Sequence, residues 1–146
     1  MLSEVQIKMS NMIDMQIMRY INLFERISRV STTNCFVYNN TIIFAVPKKL
    51  VSKAIGKDAA NVKQIYSILN KKARVIEERN IDQVDKFISD IIEPASFNKI
   101  DLKNGELILS ANRQNKAALI GRNRQREQEL EDILKKFYNI QKLKIM

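Results

Sequence analysis

Two short segments hold the residues best suited to chemistry: Lys53-Ala54-Ile55-Gly56-Lys57-Asp58-Ala59 and Ala118-Leu119-Ile120-Gly121-Arg122-Asn123-Arg124. Each places a glycine behind aliphatic residues and ahead of a basic one, and together they use two of the three glycines in the chain. A glycine that ends a helix in the left-handed conformation accounts for part of this pattern. It does not account for the charge. Lys48, Lys49, Lys53, Lys57 and Lys63 surround the first turn with Asp58 as the one acid, and Arg113, Lys116, Arg122, Arg124 and Arg126 surround the second with no acid before Glu127. A turn between two helices can offer backbone N–H groups and the positive end of the following helix to a phosphate, and a glycine lets a nucleic-acid backbone come close. The chemistry to expect is anion binding. A solvated face of charged helices is the competing explanation, and it is weaker for two clusters at equivalent points of the chain than for either alone.

The rest of the composition narrows the function by what it lacks. There is no histidine, so the commonest general base and metal ligand is missing, and no nucleophile and base pair stands out. No enzymatic activity, catalytic residue, metal site, cofactor or small-molecule substrate is expected. The lone Cys35 cannot form an intramolecular disulfide and is expected to be a small buried hydrophobe. Twenty-five basic residues against sixteen acidic ones leave a formal charge of +9, which favours polyanionic partners. The excess is uneven: thirteen basic and six acidic residues up to Asn80, twelve and ten after it. With 45% hydrophobic residues the chain is expected to fold, and without a long apolar run or signal peptide it is expected to be cytoplasmic, with no membrane partner.

The elements that must position these turns recur with an offset of 65 residues. Setting Ala54-Ile55-Gly56 on Leu119-Ile120-Gly121 also sets Ile42, Ile43 and Phe44 on Leu107, Ile108 and Leu109, Lys48 on Arg113, Ile65 on Leu130 and Leu69 on Leu134. Ile13, Ile17, Tyr20, Phe24 and Ile27 recur at helical spacing, as do Ile81, Val84, Ile88 and Ile91, so each unit opens with an amphipathic helix. Ser10 or Asn11 would cap the first, after a tail of about ten residues. Asn39-Asn40 and Asn104-Gly105 tolerate positive φ and each separates two β-rich runs, which predicts hairpins over 35–46 and 99–111. A short helix ending at the glycine, a longer helix and a last strand (73–77 and 142–145) complete each unit. Pro47 ends the strand before the first helical pair, and Pro94 stops the helix that opens the second unit. The predicted order is helix, strand, strand, helix, helix, strand, twice: an α+β chain with one unit over 1–79 and another over 80–146, joined by a link too short and too poor in glycine to be a flexible tether.

This order, with an Ile-Gly-x-x turn between the two helices, resembles the type II KH module of prokaryotes, and the tandem pair resembles the archaeal NusA transcription factors. Arg19 to Ile27 is similar to that family's first helix, and Phe36 to Gly56 is the most family-like stretch of a resemblance covering nearly the whole chain. The resemblance implies two three-stranded sheets with helices on one face. It also implies single-stranded RNA held beside a Gly-x-x-Gly turn that clamps the backbone while bases rest on an apolar floor, with RNA polymerase as a further partner. Carried onto this sequence, the RNA-binding set is Lys53, Ile55, Gly56, Lys57, Asp58, Ala59, Val62 and Lys63 in the first unit. In the second it is Arg113, Lys116, Ile120, Gly121, Arg122, Asn123, Arg124 and Arg126. The last glycine of the motif is absent from both units, replaced by Ala59 and by Arg124. The alternative is a protein-interaction scaffold whose altered turns no longer hold RNA and whose basic surface docks on an acidic partner.

Overall fold

The computed structural model describes the backbone of residues 4–146 and the side chains of residues 15–146. The chain divides into two compact units, Met1–Glu77 and Glu78–Met146. In the first, helix α1 (Glu4–Ser28) leads to strands β1 (Asn34–Tyr38) and β2 (Thr41–Val46), and then to helices α2 (Val51–Ile55) and α3 (Ala60–Leu69) and strand β3 (Lys72–Glu77). Asn39 and Asn40 turn the hairpin with φ of 50° and 62°, the doubly left-handed geometry that matches the twist of the flanking strands. Strand β2 is central, antiparallel to β1 and parallel to β3, with Thr41 opposite Lys72. Parallel neighbours need a long crossover, and α2 and α3 supply it. The turn at Gly56 is the middle of that crossover.

Ile42, Phe44 and Val46 alternate along β2, so all three face the core with Tyr20, Phe24 and Ile65. Phe24 stacks on Phe44 with ring centroids 4.1 Å apart, joining α1 to the sheet. Burial of one such ring stabilises by about 2–3 kcal/mol. Cys35 is fully buried in the same cluster, as its type suggested. Helix α1 starts earlier than expected. Its backbone is helical from Glu4 and continues through Ser10 and Asn11, so neither residue caps it and no tail of ten residues precedes it. The stretch has no glycine or proline to interrupt it, and Glu4, Gln6, Lys8 and Met9 all favour the helix. Ile13 lies outside the described side chains, while Ile17 and Ile27 are partly buried against the core.

The second unit repeats the order: α4 (Val84–Ile92), β4 (Lys99–Lys103), β5 (Glu106–Ser110), α5 (Arg113–Ile120), α6 (Gln125–Tyr138) and β6 (Lys142–Ile145). Ile81 does not join the apolar face of α4. It sits in a preceding single turn, Ile81–Gln83, and is 46% exposed. A turn of three residues rotates its side chains off a stripe that requires 3.6. Val84, Ile88 and Ile91 are buried as the periodicity predicts, and Phe87 and Ile92 are buried beside them. Phe87 meets Tyr138 edge-on at 5.0 Å, and the Tyr138 hydroxyl donates to the Arg79 carbonyl at 2.7 Å, fixing the end of α6 to the start of its unit. Strand β5 is antiparallel to β4 and parallel to β6, with Glu106 opposite Lys142. The chain is thus α+β, with two three-stranded sheets and helices, as expected of tandem KH-like units. No described helix is long and apolar enough to cross a membrane.

Candidate nucleic-acid interface

Both glycine turns have one backbone conformation. Gly56 has φ 83° and ψ 164°, and Gly121 has φ 73° and ψ 176°. That combination is essentially restricted to glycine, so neither glycine is the left-handed helix cap expected from the sequence. The left-handed positions come next, at Asp58 and Ala59 (φ 54° and 60°) and at Asn123 and Arg124 (φ 56° and 60°). Room is also lacking. A Cβ at Gly56 would lie 2.9 Å from Asn61 Cγ, and one at Gly121 2.5 Å from Arg126 Cγ. Asn61 is fixed there because its amide donates to the carbonyls of Lys53 and Ala54, both at 3.1 Å, closing the end of α2. Arg126 holds the corresponding place in the second unit.

Helices α3 and α6 both begin without a side-chain cap, so their first-turn amides point toward the turn with no hydroxyl or carboxylate hydrogen-bonded at the cap position. The surrounding charge differs between units. Lys53, Lys57, Asp58 and Lys63 are exposed, while Ile55, Ala59 and Val62 are half-buried. In the second unit Arg113, Arg122, Asn123 and Arg124 are exposed, and Lys116 and Ile120 are half-buried. Two of its arginines are engaged by neighbours. Arg124 grips Glu127 through Nε at 3.2 Å and Nη2 at 2.9 Å, and Arg126 turns inward, with 17% of its side chain exposed, to pair with Glu129. Two of the five cations around the second turn are therefore paired with carboxylates of the helix that follows it.

In the first unit a groove of ≈ 270 Å³ runs between α3 and the edge strand β3, lined by Thr41, Val62, Lys63, Tyr66, Lys72, Ala73 and Arg74. Val62 and Lys63 were expected here. Thr41, Tyr66 and the three β3 residues were not. Tyr66 could have been found, since it follows Val62 by four residues and so shares its helix face. Tyr66 lines the groove and is 50% exposed. The lining residues include three cations and no carboxylate.

The same register in the second unit puts Glu106, Glu127, Gln128 and Glu131 at the positions of Thr41, Val62, Lys63 and Tyr66, and Lys142, Leu143 and Lys144 at those of Lys72, Ala73 and Arg74. Glu131 Oε2 accepts the Leu143 backbone N–H at 3.0 Å, and Oε1 lies 3.3 Å from Lys135 Nζ. The Leu143 N–H holds this carboxyl below its ordinary pKa, with Lys135 adding to the effect and burial opposing it. Among the described residues no group of three histidine, cysteine, aspartate or glutamate side chains could hold a metal ion.

No protein-family model matches the chain. It is 29% identical over 85 residues to a "Probable transcription termination protein NusA" of Halococcus morrhuae, covering 58% of this chain and 60% of the relative. A protein of the same name from Methanocaldococcus jannaschii is 29% identical over 130 residues, covering 86% of this chain and 70% of that one. The match thus spans only about three fifths of the Halococcus protein's length. A solved structure titled "Crystal structure of APE1850" superposes with a TM-score of 0.64 over 88% of this chain and 96% of its own, at 23% identity, which bears on the fold alone. The two relatives support an archaeal NusA-like protein.

Proposed function

We propose that this protein is a transcription-associated RNA-binding factor of NusA type that holds single-stranded RNA beside its glycine turns. The observation that carries this reading is the first unit's groove. It lies along α3, the helix that follows a turn only glycine can make and that begins without a side-chain cap, and it has an apolar floor rimmed by Lys63, Lys72 and Arg74. Phosphates suit the turn and the rim, and an unpaired base suits the floor; a duplex keeps its bases inside the stack and cannot offer one. The transcription termination named for the two relatives suggests nascent RNA as the natural ligand and RNA polymerase as a second partner.

The test is titration of the full chain with labelled single-stranded RNA, double-stranded RNA and single-stranded DNA at several salt concentrations. Single-stranded RNA should bind most tightly, with affinity falling steeply as salt rises. Equal and weak binding of all three at low salt would favour the scaffold alternative, in which the basic surface docks on an acidic protein.

A further inference from the structure

The two units share a backbone but not a groove. In the first, α3 and β3 leave a space in which an exposed tyrosine ring stands among Lys63, Lys72 and Arg74. In the second, the position of that ring belongs to Glu131, whose carboxylate spans from α6 to the Leu143 amide of β6. Alternate residues of an edge strand direct their backbone groups away from the sheet, and Leu143 is such a residue because its N–H meets a side chain of α6. The register gives Ala73 the same place on β3: Ile42 faces Ala73 as Leu107 faces Leu143. The amide that the second unit satisfies with its own carboxylate is thus set, in the first, at a groove whose helix offers an aromatic ring instead. Charge separates the two further. Glu106, Glu127 and Glu131 replace Thr41, Val62 and Tyr66, so the second unit carries three carboxylates, two of them paired with Arg124 and Lys135, where the first carries none at these positions.

We propose that the units are unequal in function: the first takes an unpaired base of the RNA, stacked on Tyr66 and edged by the Ala73 amide, while Glu131 closes the corresponding groove of the second. This rests on the reading that the chain binds single-stranded RNA. Stacking suits Tyr66 because every base has a π-face, so the site would accept a base without demanding a particular one. The second unit would then add at most the exposed arginines of its turn.

The experiment uses the full chain and a mixed-sequence single-stranded RNA of twelve nucleotides carrying 4-thiouridine, with affinity measured by fluorescence anisotropy and crosslinks mapped by peptide mass. Tyr66→Ala should weaken binding about tenfold at every salt concentration, leaving the salt slope unchanged because no charge is lost, and Tyr66→Phe should restore most of that loss. Crosslinks should fall within residues 60–74 and spare 125–144. Parental binding that Tyr66→Ala leaves intact, or crosslinks shared equally between the two regions, would overturn the inequality while leaving the RNA reading standing. A parent that fails to bind the RNA even at low salt would remove both. The variant's thermal melting should match the parent's, since Tyr66 is half exposed.

Discussion

Ala59 and Arg124 occupy a backbone position that glycine would fill with less strain. Each has φ of 60°, and a side chain in that region costs about 1–2 kcal/mol. Glycine would relieve this strain but would lose more entropy on folding, by roughly 0.5–1 kcal/mol, so the net gain from Ala59→Gly should be about 1 kcal/mol or somewhat less. The melting temperature should then rise by about 3 °C. Arg124→Gly should gain less, because it also breaks the exposed pair with Glu127, an interaction worth about 0.2–1 kcal/mol. Gly56→Ala should do the reverse, since both the torsion angles and the Asn61 contact forbid a Cβ, and it should melt several degrees below the parent. A differential scan of the three variants checks all of this, and a fall in stability for Ala59→Gly would show that the left-handed turn is not strained. The missing glycines of the motif are visible in the sequence as departures from a pattern. That they sit in left-handed backbone, while Gly56 and Gly121 do not, depends on ψ, which no residue type reports.

At the scale of elements, the sequence specified what local chemistry decides. The Asn-Asn and Asn-Gly hairpins with their β-rich runs and the helices through Phe24, Ile88 and Leu130 all appear where the sequence places them. Its failures fell at helix starts, where Ser10 and Asn11 offered cap chemistry inside a segment that had no reason to stop, and where Ile81 kept the apolar spacing but not the helix. The grooves were hidden for another reason: they lie between α3 and β3, or α6 and β6, and a side chain's place across such a gap follows from register rather than from sequence spacing. Glu131 is the clearest case. On sequence it reads as one more charge on an exposed helix face, whereas in the fold it is a strap on the edge strand β6. Its depressed pKa sets the sign of the pH dependence. The stabilisation is present above the unfolded carboxyl value of about 4.3 and is lost as pH falls through the lower folded value. Amide exchange at Leu143 should therefore accelerate in acid relative to its β6 neighbours. In Glu131→Ala it should be fast already at neutral pH, with a cost in stability of about 1 kcal/mol. Exchange at Leu143 that is indifferent to both changes would mean the strap carries no load.

For the whole molecule the decisive quantity is how the excess of +9 is used. Most of it precedes Asn80, in the unit whose groove is lined by cations, whereas the second unit commits Arg124 and Arg126 to Glu127 and Glu129. Counterion release makes this asymmetry measurable, because each phosphate neutralised on a single strand adds about 0.7 to the slope of log affinity against log salt. Replacing Lys53 and Lys57 together by alanine should flatten that slope by about 1.4 if each meets one phosphate. Replacing Arg124 and Arg126 should change it by clearly less, since those guanidiniums already face carboxylates and removing them frees two acids near the turn. Stability gives the control: Lys53 and Lys57 are exposed, so their loss should leave melting nearly unchanged, while loss of the inward Arg126 should lower it. The measurement is an RNA titration of each double variant at four or more salt concentrations. If the arginine pair flattened the slope as much as the lysine pair, the Arg124–Glu127 and Arg126–Glu129 ion pairs would have to open on binding, and the second unit would share the strand equally with the first.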